Sequence, residues 1–181
     1  TVDLSAFYFD IRKDNLYCDP IDSKKRKSTI VLLNIILNSL LKWFAPILSF
    51  TTEEIFKLLF KEQKSIHLKK FLEFPEKFKN EKLSEKWAEL IKIRNICNIS
   101  IEEKRASKEI GSSLEADLKI QLSHKLKKLT ENTDFSELCI TSKAQVKYED
   151  DIETIAITSK AKGSKCPVCW KINDSPCQRH S

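Results

Sequence analysis

Apolar residues return every three or four positions from Ser23 to Phe44, at Ile30, Leu33, Ile36, Leu37, Leu40, Leu41 and Phe44. That period predicts a long helix with a broad buried face, which Pro46 then stops. Thr51-Thr52-Glu53-Glu54 sets a hydroxyl at a candidate N-cap with a carboxylate three residues on, ahead of the stripe Ile55, Phe56, Leu59 and Phe60. A second, antiparallel helix is expected after so short a turn. A third pattern runs from Ser84 to about Ala106, with Trp87, Leu90, Ile91, Cys97 and Ile101 on one side and Arg94 in phase with them. After Gly111 the period drops to two: Leu114, Ala116, Leu118, Ile120 and Leu122 alternate with polar neighbours, the signature of a half-buried strand. A short helix from about Ser123 to Asn132 and further strands over Leu138–Thr141, Gln145–Tyr148 and Ile152–Thr158 complete the expectation.

The pattern therefore predicts a mainly α chain in three parts: a helical body over 1–110, a small α+β subdomain over 111–159, and a basic linker with a cysteine-rich knuckle over 160–181. With 41% apolar and 32% charged residues in 181, the chain can bury a core, which excludes a disordered or collagen-like polymer. The two glycines, Gly111 and Gly163, cannot form a glycine-rich phosphate loop. Methionine is absent, so the chain reads as a piece of something longer. Its most apolar segment, Ile30 to Phe50, is broken by Asn34, Asn38, Lys42 and Pro46, so no membrane span is expected. Without a leader pattern, and with Cys18, Cys97 and Cys139 scattered singly, a reducing cytoplasm is the expected setting.

The chemistry concentrates at the end of the chain. Cys166-Pro167-Val168-Cys169 is a C-x2-C pair, and Cys177-Gln178-Arg179-His180 supplies C-x2-H. Four such ligands can close a tetrahedron around one structural Zn²⁺, leaving no open position for water. An incomplete site and a redox pair are the other readings of this spacing. The same segment carries Lys160, Lys162, Lys165, Lys171 and Arg179 against the single acid Asp174, most of the chain's net charge of +6. Lysines on phosphates and Trp170 stacked on an unpaired base would make it a nucleic-acid contact; the plainer reading has Trp170 packed over the ligands. Lys24, Lys25 and Arg26 form a second basic run, either a solvated first turn or an RNA contact. Arg94 is either a core arginine paired with an acid or an edge residue holding a phosphate. No nucleophile has a sequence-level partner, so no active site is marked.

Wording then adds to physics. Ser5 to Asp14, Leu16-Tyr17-Cys18-Asp19, Phe44 to Glu54, Trp87 to Arg94, Ile110 to Ala116 and Lys165 to Trp170 together resemble, in family order, the region that follows the catalytic core in bacterial-type isoleucyl-tRNA synthetases. The family's HIGH and KMSKS motifs are absent from these residues. The resemblance implies an anticodon-binding helical domain with a zinc-bearing tail, tRNA and the upstream catalytic domain as partners, a monomeric parent, and ATP used by the missing catalytic domain alone. It also implies a departure, because the family's second ligand pair is usually C-x2-C after a longer insertion, and an arginine commonly stands where Val168 does. The valyl and leucyl enzymes share the helical domain. A zinc-dependent protein-interaction module and a small thiol enzyme are the readings from other classes.

Overall fold

The computed structural model describes residues 2–61 and 64–180; Thr1, Glu62, Gln63 and Ser181, which fall in the sequence segments 1–110 and 160–181, lie outside the described residues. The chain packs as two compact units, one of residues 15–79 and one combining the first 14 residues with those from 80 onward.

In the unit of residues 15–79, α2 (Lys24–Phe44) begins at Ser23, whose side chain accepts from the Arg26 N–H, and gives way at Ala45 before Pro46. α3 covers Ser49–Leu59 with Leu48 at its N-cap position, three residues earlier than the Thr51 cap predicts. Thr52 is inside the helix and bonds back to the Leu48 carbonyl at 2.9 Å. Leu41, Ala45, Phe56 and Ile66 form the core, with Leu37, Ile55 and Phe60 against it. Ile30 and Phe44 of the predicted stripe stand exposed.

Glu53 anchors the segment after α3. It accepts from Ser65 Oγ at 2.8 Å, from the Ile66 N–H at 2.9 Å and from Lys57 Nζ at 3.0 Å. The Lys57 bond leads these contacts in holding its carboxyl at about 2. Because this value is depressed in the fold, the contribution to stability is present above the ordinary value of 4.5 and is lost as pH falls from there toward 2. Glu53→Gln is expected to weaken this unit at neutral pH and to remove that share of its acid sensitivity. Urea titrations at pH 7 and pH 3 followed through Trp43 fluorescence check it; an equal loss at both pH values would refute the assignment.

In the other unit, a wide helical stretch Val2–Phe9 runs into α1 (Asp10–Cys18), whose last four residues belong to the first-described unit. α4 (Glu81–Ala106) starts at Asn80, which caps the Leu83 N–H. It buries Leu90, Ile93, Cys97 and Ile101, so Ile93 takes the place predicted for Ile91, which is exposed. Three strands follow: β1 (Ala116–Ser123), β2 (Lys143–Glu149) and β3 (Ile155–Lys160), in the order β2-β1-β3. β1 is parallel to β2 and antiparallel to β3. Its residues Ala116, Leu118, Ile120 and Leu122 are all within 1% of full burial, as the alternation predicts. They meet α4 and join Ile110, Phe135, Leu138 and Cys139 in one core.

Between β1 and β2 the chain makes α5 (Lys127–Thr130) and α6 (Phe135–Leu138). The strand predicted over Leu138–Thr141 is thus replaced by the end of α6 and a turn. Asp134 starts that helix by accepting from the Ser136 and Glu137 N–H groups at 2.9 and 3.1 Å, a local bond an extended chain could not make. No helix among the described residues is long and apolar enough to cross a membrane.

Candidate functional site

The terminal segment folds as a hairpin. β4 (Ser164–Lys165) and β5 (Ile172–Asn173) pair antiparallel, and the turn between them carries Cys166 and Cys169. The Cys166 N–H donates to the Lys171 carbonyl at 2.9 Å and the Trp170 N–H to the Cys166 carbonyl at 3.0 Å. Trp170 closes the turn in the left-handed region, at φ +64°, a conformation costly for a residue with a Cβ. The start of the basic linker is tied to the sheet: β3 extends to Lys160, and the buried Ala161 donates to the Glu115 carbonyl at 2.8 Å.

This turn and the one at His180, whose N–H donates to the Cys177 carbonyl at 2.9 Å, bring four ligand atoms within 4.8 Å of one another: the sulfurs of Cys166, Cys169 and Cys177 and a His180 ring nitrogen. Cys166 Sγ lies 3.5 Å and Cys177 Sγ 3.4 Å from His180 Nδ1, and Cys169 Sγ lies 3.9 Å from Cys177 Sγ. A disulfide would need sulfurs about 2.05 Å apart, so the sulfurs are spaced as co-ligands. The Cys166 thiol is held down at about 6, led by the Cys169 N–H, while burial leads in pushing Cys169 up to about 11. A thiolate near neutral pH is the form a cation takes. The cluster could hold one metal ion.

The hairpin is fastened to the rest of its unit by contacts that sequence reading missed. Ser142 Oγ accepts from the Ile172 N–H at 2.6 Å and donates to the Leu114 carbonyl. Lys143 pairs with Asp174, which engages the tail's one acid. Arg179 Nη1 meets Asp14 Oδ2 at 2.6 Å, and its Nη2 donates to the Asp14 carbonyl at 3.2 Å. No motif marks these contacts, because each joins residues far apart in the chain.

Of the predicted RNA-contact residues, Trp170 is 60% exposed with Lys165 Nζ 5.7 Å from its ring centroid. Lys165 is exposed and Lys171 half-buried. Arg179 is turned to Asp14. Arg94 donates to the Leu138 carbonyl at 2.9 Å and lies 5.3 Å from the Phe7 ring centroid, so a carbonyl and a ring replace the acid expected as its partner. In the other unit, Lys24 and Lys25 are exposed on the first turn of α2, and Arg26 donates to the Asp19 carbonyl at 2.8 Å.

A helical body carrying a small sheet and a Cys/His knuckle is the frame on which the comparisons bear. Residues 1–122 match the family model described as the anticodon-binding domain of tRNA ligase, and the chain belongs to that family. Over its whole length it is 67% identical to the isoleucine–tRNA ligase of Pelagibacter ubique. It is 39% identical over 93% of its length to that of Bartonella henselae, and 40% identical over 96% to that of Bradyrhizobium diazoefficiens. The chain spans 20% of the first of these proteins and 18% of the other two.

Proposed function

We propose that the chain is the tRNA-holding part of an isoleucine–tRNA ligase, a cytoplasmic, monomeric enzyme that joins isoleucine to its tRNA using ATP in a domain outside these residues. The carrying observation is the 67% identity across all 181 residues to a protein of that name. The part described does no chemistry itself. Holding the tRNA far from the reacting groups uses binding energy to orient the acceptor end.

Zinc is the metal we assign to the tetrad. Bonds of about 2.3 Å to sulfur and about 2.0–2.1 Å to nitrogen give a tetrahedron with S–S edges of about 3.8 Å and S–N edges of about 3.6 Å. The observed 3.9, 3.5 and 3.4 Å fit those edges. Cys166, Cys169, Cys177 and His180 would hold it, and with all four positions filled it supplies structure alone.

The RNA surface we assign to the knuckle is Trp170 with Lys165 and Lys171: an exposed ring for an unpaired anticodon-loop base, and cations for the adjoining phosphates. Lys24, Lys25 and Arg26 make a second contact. Arg94 and Arg179 serve mainly to hold structure. The test is titration of the chain with isoleucine tRNA and with the same tRNA carrying a substituted anticodon, at two salt concentrations. Preference for the native anticodon is expected; equal binding would leave a general RNA-holding surface, and no binding would favour a protein-interaction module. Lys165→Gln and Lys171→Gln should each flatten the salt slope by about 0.7 to 0.9; an unchanged slope removes that lysine from the surface.

A further inference from the structure

Arg179 lies between two metal ligands in sequence, one residue before His180 and two after Cys177. Its guanidinium is drawn out of solvent, 24% exposed, and clasps both the carboxylate and the carbonyl of Asp14. Asp14 is 165 residues away in the chain and sits in the middle of α1. The same helix is held from another side by Arg12, which meets Glu137 of α6 at 2.7 Å. α1 thus gives a cation to α6 and an acid to the knuckle, two pairs of opposite polarity that fix it in position. Arg179 stands within the Cys177–His180 turn, which holds two of the four ligands and in which the His180 N–H donates to the Cys177 carbonyl.

We infer that Arg179 is a positioning residue coupling the metal centre to α1: filling the tetrad fixes the turn that offers the guanidinium to Asp14, so metal retention and the order of α1 support one another. This rests on the metal reading above. Coupling of this kind is reciprocal by thermodynamic necessity, so what metal does for the helix the helix does for metal. Its use to the protein is to register a tail of slight apolar content on the helical body, giving the RNA surface of the knuckle a fixed seat.

Hydrogen exchange of the amides of residues 12–18 in the 181-residue chain tests it, with one equivalent of zinc and with excess chelator, using Leu118–Leu122 of β1 as the internal control for folding. Chelation should speed exchange in α1 about fivefold or more while β1 stays protected, and Arg179→Ala should do the same with zinc still bound. The zinc dissociation constant of Arg179→Ala should rise by a similar factor. The exchanged pair, Asp14→Arg with Arg179→Asp, should recover part of both losses, which a merely space-filling role for Arg179 would not allow. A chain that binds one zinc but exchanges its α1 amides equally with and without it overturns this inference alone. So does an exchanged pair that recovers nothing. A chain that takes up no zinc overturns the metal reading and this inference together.

Discussion

Cys169→Ser is expected to release the metal and unfold residues 164–180, loosening α1, while the core built on α4 and β1 stays folded. Serine keeps the size of the side chain but removes one of the four ligand atoms that meet there among the described residues. Apparent binding free energies of structural zinc are about 10–16 kcal/mol, and a tail of this length has little else to fold it. Apart from the ligands Cys166 and Cys169, Ile172 is its only buried apolar residue among the described residues. The main core of Leu90, Ile93, Cys97, Leu118 and their neighbours includes no residue of the tail, so the loss stays local. Zinc content per chain together with amide dispersion in a two-dimensional NMR spectrum checks this. The expected outcome is a loss of bound zinc and collapsed shifts for Ser164–His180, with the β1 shifts unmoved. Cys18→Ser and Cys97→Ser, outside the tetrad, should keep the full metal content. A dispersed tail in the metal-free chain would show that the Ser142, Lys143 and Arg179 contacts suffice without the ion.

The Cys and His residues that meet in this tail stand close together in sequence, and for that reason were legible. Cys166, Cys169, Cys177 and His180 announce themselves by spacing, and β1 by strict alternation around Leu118, Ile120 and Leu122. What tertiary packing decides was not legible. Ile93 enters the core in place of Ile91 because the sheet selects one phase of α4, and both residues are compatible with the period of a helix. Leu138–Thr141 reads as a strand by residue type, yet a single Asp134 cap turns its beginning into helix. The Asp14–Arg179 and Ser142–Ile172 contacts span 165 and 30 residues, and nothing local records them. Arg94 shows the middle case: its place on the apolar face was legible, but its partners, a carbonyl and the Phe7 ring, come from distant chain.

The two glycines separate this knowledge into a prediction. Gly163 has φ +121°, and a Cβ built there would stand 2.1 Å from the Asn173 carbonyl oxygen and 2.5 Å from its carbon. The obstacle is backbone of the opposite hairpin strand, so no side chain can rotate away. Alanine at 163 must either break the β4–β5 pairing at Ser164↔Asn173 or move the whole arm that carries Cys166. Backbone strain of this kind costs about 1–3 kcal/mol before the clash is counted, so zinc affinity is expected to fall about a hundredfold, the equivalent of about 3 kcal/mol. At Gly111 the nearest atoms to a built Cβ are the Glu115 carboxylate oxygens at 3.6 and 3.7 Å, ordinary contact with a flexible side chain. Gly111→Ala should therefore leave zinc affinity unchanged, with the small gain in stability that a restricted unfolded chain brings, about 0.4–1 kcal/mol. Competition titration of both variants against a chromogenic zinc chelator reads the difference. Equal affinity in Gly163→Ala and Gly111→Ala would mean that the hairpin can shift without disturbing the tetrad, and that the metal centre is seated by its own turns and by Arg179 rather than by the strand that leads into it.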